Sequence, residues 1–224
     1  MGQGIGEVLT FAVGVAISPV PIIAVILMLF SARARVNGPA FLIGWVLALA
    51  LVAGVVYVLA VQGDVGMSSG ASDAVSWGKI VLGVLFLLLA ARQWRSRPAP
   101  GTEAEMPKWM AGIDSFAPGK AFALGLLLAG VNPKNLLLTL AAASGLAQLG
   151  LSTSDAVVSL VVFVVVASLT IGGPVIYYLL GGDRAKTRLD ELKGWLAVHN
   201  AAVMAVLFVV FGVDLIAKGI PPLT

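Results

Sequence analysis

Apolar residues in this chain form six long runs that are separated by short polar or charged stretches. Their approximate bounds are 7–30, 38–61, 74–94, 118–147, 155–181 and 198–219. At about 1.5 Å per residue, each run is long enough to cross a hydrocarbon core of about 30 Å. A backbone in lipid must satisfy its own polar groups, so we predict that every run is helical. The predicted fold class is an all-α membrane protein with six transmembrane helices.

The composition agrees with this pattern and narrows the chemistry. Only 11% of the 224 residues are charged, whereas a soluble domain carries about a quarter. The chain has no cysteine and one histidine, which argues against disulfides, thiolate catalysis and a Cys- or His-based metal site. We therefore expect no metal, no cofactor and no enzyme activity. The net charge of +3 resides mainly in loops and does not indicate nucleic-acid binding.

The basic residues of the loops predict the orientation of the spans. They lie after spans 1, 3 and 5: Arg33, Arg35, Arg95, Arg97, Lys108, Arg184, Lys186, Arg188 and Lys193. The loops on the other face contain aspartates and neither Lys nor Arg. By the positive-inside rule, both termini are expected outside a multi-pass plasma-membrane protein.

The two halves of the sequence resemble each other weakly. Residues 11–14 (FAVG) in span 1 match 122–125 (FALG) in span 4, and 84–86 (VLF) in span 3 match 206–208 (VLF) in span 6. A unit of three spans crosses the membrane an odd number of times, so its copy must be inverted. Inverted repeats of this kind are typical of secondary transporters.

This repeat predicts the domain organisation. Residues 1–97 are expected to form the first three-helix repeat and 118–224 the second, joined by a flexible cytoplasmic linker at 98–117. Within the second repeat, residues 184–198 place leucines along one helical face and charged residues on the opposite face. This pattern predicts an amphipathic helix at the inner membrane interface.

Prolines and polar residues interrupt spans 1 and 4 near their middles. Proline removes a backbone donor and clashes with the preceding turn, so both helices should break there and require a polar surrounding. Paired breaks in equivalent helices point to a substrate site, although a single proline is also consistent with a simple packing kink. The predicted site residues are Ser18, Pro19 and Pro21 in span 1, and Asn132, Pro133, Lys134 and Asn135 in span 4.

Charged residues within the spans supply further candidates. Lys134 lies halfway along span 4, where a lysine costs about 2.5–3.5 kcal/mol on insertion scales, so it should face a cavity or a counter-charge. Asp214 in span 6 is interpreted either as an i+4 partner of Lys218 or as a coupling carboxylate that pairs with Lys134 or Lys79. Lys79 near the outer end of span 3 is also consistent with a lysine that extends to the interface.

Three segments together resemble a known family. SPVP (18–21), GVNPKNLLL (130–138) and HNAAVMAVLFVVFGVDLI (199–216) are similar to the GAP (peptidoglycolipid-addressing) family of the LysE exporter superfamily, which includes sulfolipid-addressing relatives. The resemblance covers nearly the whole chain, and NPKN is its most specific part. It implies an actinobacterial plasma-membrane protein that helps to move a lipid-linked or glycolipid cargo outward.

Residues and resemblance together favour a secondary-type exporter or flippase of an anionic lipid or lipid-linked sugar, such as a glycolipid or a polyprenyl-phosphate-sugar. One alternative is a proton-coupled exporter of a small soluble solute, an amino acid or a cation. Another is a non-transporting membrane adaptor for lipid export machinery. Membrane lipids are the expected partners. The other candidate partners are a second copy of the chain and a lipid-synthesis or export machinery.

Overall fold

The computed structural model describes residues 2–62, 69–97 and 108–220, and these ranges are helical almost throughout. They contain eight α-helices and one 3₁₀ helix, Lys108–Ser115. The α-helices are α1 (Gly2–Ala16), α2 (Pro19–Phe30), α3 (Ala34–Gln62), α4 (Ser69–Arg95), α5 (Pro118–Gly130), α6 (Pro133–Gln148), α7 (Thr153–Gly181) and α8 (Asp183–Gly219). The predicted all-α class is confirmed.

Length and composition allow four single helices, in α3, α4, α7 and α8, to cross a membrane. The count rises to six spans if α1 with α2, and α5 with α6, each form one bent span. This number of candidate spans among the described helices agrees with the predicted multi-pass membrane protein. The inverted relation between its halves stays a prediction.

The two predicted helix breaks are present. The axes of α1 and α2 differ by 55°, and those of α5 and α6 differ by 59°. Pro19 and Pro133 occupy the first position of α2 and of α6, where the missing N–H costs nothing and the fixed φ suits a helix start. Proline therefore ends one half-helix and begins the next in both spans.

Two other segments have structural features that the sequence did not predict. α8 is one helix of 37 residues, so no break separates the amphipathic 184–198 segment from the last span. Gly194 lies within this helix, and a single glycine weakens a helix without ending it. Residues 108–115 of the predicted flexible linker form the 3₁₀ helix, which buries Met110 and Ile113. Residues 98–107 of that linker lie outside the described residues.

The chain forms two compact units. The first comprises Met1–Val61 and Glu105–Ala197, and the second Gln62–Ala104 and Val198–Thr224. In the first unit, α1 packs against α6 and α7, while α2 packs against α5, α7 and the 3₁₀ helix. The half-helices of the two broken spans are therefore neighbours.

Glycines allow α3 and α5 to approach closely within the first unit. A Cβ at Gly44 would lie 2.2 Å from the carbonyl oxygen of Phe122, and one at Gly125 would lie 2.2 Å from that of Phe41. Small residues at such crossings are typical of helices that pack in membranes, where backbone contact replaces the hydrophobic driving force.

The second unit pairs α4 with the last part of α8. A Cβ at Gly83 would lie 2.7 Å from the carbonyl oxygen of Gly212. The rings of Phe86 and Phe208 have centroids 5.4 Å apart. These two phenylalanines occupy matching positions in the VLF segments of the two halves.

Candidate functional site

Two prolines in α2 leave carbonyl groups at the end of α1 without their helical donors. In an uninterrupted helix, the carbonyl of Val15 would accept from residue 19 and that of Ile17 from residue 21. Both positions are proline, which has no N–H. Val15 is buried, whereas Ile17 is 37% exposed. The sequence thus creates two acceptors at the end of α1 that lack their helical donors and need other partners.

Side chains of the first unit satisfy both acceptors. The hydroxyl of Ser18 lies 2.7 Å from the oxygen of Val15, and the ammonium group of Lys134 donates to the oxygen of Ile17 at 2.8 Å. Lys134 also donates to the hydroxyl oxygen of Ser18 at 2.7 Å. The break in the first span is therefore bridged by a lysine from the fourth.

Lys134 is buried, with 5% of its surface exposed. It occupies the second position of α6, where the positive end of the helix dipole disfavours a cation. Its ammonium group reaches the carbonyl end of α1, where the dipole is negative and favours one. No carboxylate forms an ion pair with Lys134 among the residues that the structure describes. Its charge is balanced by backbone and hydroxyl dipoles alone.

Asn135 links the same two breaks from the other side. Its side-chain oxygen lies 2.9 Å from the hydroxyl of Ser18, and its amide nitrogen donates to the carbonyl of Leu128 at 2.9 Å. That carbonyl is free because the N–H of Asn132 bonds to Leu127 instead. Ser18 has a single hydroxyl hydrogen, so it donates either to Asn135 or to Val15. The network therefore has two arrangements that differ by one hydroxyl rotation.

Asn132 and Pro133 shape the start of α6. The side chain of Asn132 caps this helix by accepting from the backbone N–H of Lys134 at 3.1 Å. Pro133 follows as the first helical residue and is exposed. Among the described residues, neither side chain hydrogen-bonds to Ser18, and both residues position Lys134 and Asn135 through the start of α6.

Thr170 also joins this cluster, although the sequence did not single it out as a site residue. Its hydroxyl donates to the carbonyl of Ala16 at 2.5 Å. The only signal in the sequence was a hydroxyl residue within the TIGGP segment of span 5. We use the name polar junction for Ser18, Lys134, Asn135 and Thr170 together with the carbonyl groups that they contact.

Asp214 and Lys79 belong to the second unit, whereas the polar junction lies within the first. The carboxylate of Asp214 lies 3.4 Å from the ammonium group of Lys218, which is the i+4 pairing that the sequence offered as one interpretation. Its side chain is 31% exposed. A coupling role for either residue stays a prediction.

The sequence of residues 8–221 matches a family described as Sap, sulfolipid-1-addressing protein. No curated protein and no solved structure gives a significant match. The family match supports the resemblance to the GAP family of addressing proteins, and membership of the LysE superfamily stays a prediction. Since the match covers nearly the whole chain, this protein belongs to the sulfolipid-1-addressing protein family.

Proposed function

We propose that this protein is a secondary-type exporter or flippase that moves an anionic lipid or lipid-linked sugar across the plasma membrane, and that it does not act as an enzyme. The observation that carries the proposal is the buried ammonium group of Lys134, which bridges the broken first and fourth spans through Ile17 and Ser18. The family description adds a lipid cargo of matching sign, because the head group of a sulfolipid is anionic.

The contacts of Lys134 suggest how a head group would be accepted. A hydrogen bond to a charged group contributes about 1.5–3 kcal/mol, and a phosphate or sulfate oxygen is a stronger acceptor for an ammonium group than a carbonyl oxygen. A head group could thus replace the carbonyl of Ile17 as the partner of Lys134. The same exchange would remove a bond between the first and fourth spans.

This exchange supplies a basis for alternating access. In the absence of cargo, Lys134 holds the end of α1 to the start of α6. With the ammonium group bound to cargo, the two bent spans would be released to separate, and the acyl or prenyl tail would remain in the lipid between them. The proposal therefore requires no carboxylate partner for Lys134.

Two other functions are consistent with the family and fold. A proton-coupled exporter of an amino acid or cation would call for buried carboxylates, and the polar junction contains none. A membrane adaptor for lipid-synthesis or export machinery would show no activity by itself. Both serve as outcomes of the test below.

The test uses purified protein in liposomes that contain a trace of fluorescent phosphatidylmethanol, a singly charged anionic lipid. Chemical bleaching of the outer leaflet then reports translocation. We expect the wild type to move the probe, and Lys134→Ala and Lys134→Glu to abolish movement while the protein stays folded. Lys120→Ala is the matched control, because Lys120 is exposed at the start of α5 and should retain full activity.

Three results would overturn the proposal. Unchanged movement in both Lys134 variants would exclude the lysine as the head-group site. Absence of lipid movement in the wild type, combined with counterflow of a soluble amino acid or cation, would favour the solute exporter. Absence of both activities would favour the adaptor.

A further inference from the structure

The amphipathic segment at the start of α8 turns its leucine face toward the protein. Leu189 and Leu196 are 4% and 5% exposed. Beside them, the ammonium group of Lys193 lies 5.2 Å from the ring centroid of Phe30 at the end of α2. The leucines that an isolated amphipathic helix would place in lipid are therefore mostly covered by residues of the first unit.

A second stripe on the same segment is exposed. Its members follow the i, i+4, i+8, i+11 spacing of one helix face: Arg184, Arg188, Leu192 and Trp195. The side chain of Arg188 is 75% exposed, and Leu192 and Trp195 are 39% and 52% exposed. At about 100° per residue, all four lie within about 80° around the helix axis. We use the name basic stripe for these four residues.

Polarity changes in one direction along the basic stripe. The two arginines come first, Leu192 and Trp195 follow, and no Asp, Glu, Lys or Arg lies between Trp195 and Asp214. Tryptophan is enriched where a helix crosses the membrane–water interface. Arg188 lies seven residues before Trp195, about 10 Å along the axis. An arginine side chain that extends toward the membrane from there reaches the level of the lipid phosphates.

The present partner of Arg188 can be replaced by a lipid phosphate. Its guanidinium group donates to the carboxylate of Glu191 at 3.1 Å, and both side chains are more than half exposed. Ion pairs of this kind contribute little to stability, because water and salt screen them. A phosphodiester group can accept two parallel hydrogen bonds from a guanidinium group, and Arg184 adds a second positive charge one turn away. Charge complementarity therefore favours an anionic lipid.

We propose that the basic stripe binds anionic phospholipids of the leaflet next to the basic loops, which is predicted to be the inner one. The arginines contact the phosphates, and Leu192 and Trp195 contact the interface. None of the four residues takes part in the hydrogen bonds of the polar junction, so this surface does not depend on the proposed function. The position of Trp195 at the start of the uncharged part of α8 favours lipid over an acidic protein.

Native mass spectrometry of the purified full chain tests the lipid preference. The protein is equilibrated with equimolar phosphatidylglycerol and phosphatidylcholine, and the bound molecules of each lipid are counted. The starting protein is the Lys134→Ala variant, so that a head group held at the polar junction does not contribute. We expect this protein to retain phosphatidylglycerol in excess.

Substitutions then assign that preference to the basic stripe. Arg184→Gln and Arg188→Gln should each lower the ratio of bound phosphatidylglycerol to phosphatidylcholine about fivefold, which corresponds to about 1 kcal/mol. The matched control is the double variant Lys186→Gln with Lys193→Gln. It removes two charges from the same segment, on the flank that contacts α2 and α7, and its ratio should equal that of the starting protein.

A fluorescence measurement locates the basic stripe relative to the bilayer. The chain has no native cysteine, so a single cysteine at position 192 or 194 can carry a fluorescent label. Leu192 and Gly194 are both exposed, and they lie about 160° apart around the helix at nearly the same level along its axis. In liposomes, a lipid with a spin label on its head group should quench the label at 192 more strongly than the label at 194.

Four results would overturn this surface. The first is equal retention of the two lipids by the starting protein, which would favour an acidic protein as the partner of the stripe. The others are an unchanged ratio in both arginine variants, an equal loss of preference in the lysine double variant, and quenching at position 194 as strong as at 192. Failure of the proposed function is a separate observation, since it is unchanged lipid movement in the Lys134 variants.

Discussion

The ammonium group of Lys134 lies 2.8 Å from the carbonyl oxygen of Ile17, although 117 residues separate them in the chain. This carbonyl is available because Pro21, four residues later, cannot donate to it. A proline in one broken span thus creates the acceptor that a lysine from the other broken span occupies.

Replacing Pro21 with alanine should weaken transport without loosening the fold. The new N–H at position 21 would compete with Lys134 for the oxygen of Ile17 and favour a straighter first span. We expect lipid translocation in liposomes to be slower than in the wild type. The unfolding temperature of the variant should equal or exceed that of the wild type. Pro39→Ala is the control, because Pro39 lies inside α3 and takes part in none of the hydrogen bonds of the polar junction. Wild-type translocation by Pro21→Ala would contradict this prediction.

Thr170→Val should destabilise the protein by removing the donor to Ala16 while nearly preserving side-chain volume. A typical hydrogen bond contributes about 0.5–1.5 kcal/mol, and each kcal/mol changes the unfolding temperature by about 2–4 °C in a chain of this size. Thermal unfolding in detergent measures the effect. Thr187→Val on the exposed face of α8 should leave the temperature unchanged, and an equal shift in the two variants would disprove a specific role for Thr170.

The close contact of α3 with α5 predicts opposite results for two glycine substitutions. Gly125→Ala would bring a Cβ within 2.2 Å of the oxygen of Phe41, and overpacking of this kind costs about 1–3 kcal/mol. Gly194→Ala on α8 meets no heavy atom within 4 Å outside its own stretch of helix and should gain up to about 1 kcal/mol of helix propensity. Thermal unfolding should therefore rank Gly194→Ala at or above the wild type and Gly125→Ala below it.

The absence of native cysteine makes the predicted orientation directly measurable. A single cysteine at position 3 should react with a membrane-impermeant maleimide in intact cells, because the N-terminus is predicted outside. A single cysteine at position 187 should react only after permeabilisation. Gln3 and Thr187 are both exposed, so both positions are suitable for labelling. The reverse labelling pattern would show that the orientation is opposite to the predicted one.

The sequence predicted the features that depend on local chemistry. Pro19 and Pro133 removed donors at fixed positions, so both breaks were predicted at the correct residues. Lys134 was expected to face a cavity or a counter-charge because of its insertion cost, and in the structure its ammonium group donates to a carbonyl and a hydroxyl oxygen. The sequence did not predict that the amphipathic 184–198 segment continues into the last span as one helix, Asp183–Gly219.

The partners of these residues could not be predicted from the sequence. Which carbonyl Lys134 contacts, and whether Thr170 reaches Ala16, depend on how apolar helices rotate against one another. Spans that are hydrophobic on all sides carry little information about that rotation.

The most direct test of the central claim is an experimental structure of the protein with a bound sulfated glycolipid. We predict that a sulfate oxygen lies within about 3.2 Å of the ammonium nitrogen of Lys134, with the bond to Ile17 broken. A structure in which the lipid occupies only the outer surface of the helices, while Lys134 still donates to Ile17 and Ser18, would contradict the account.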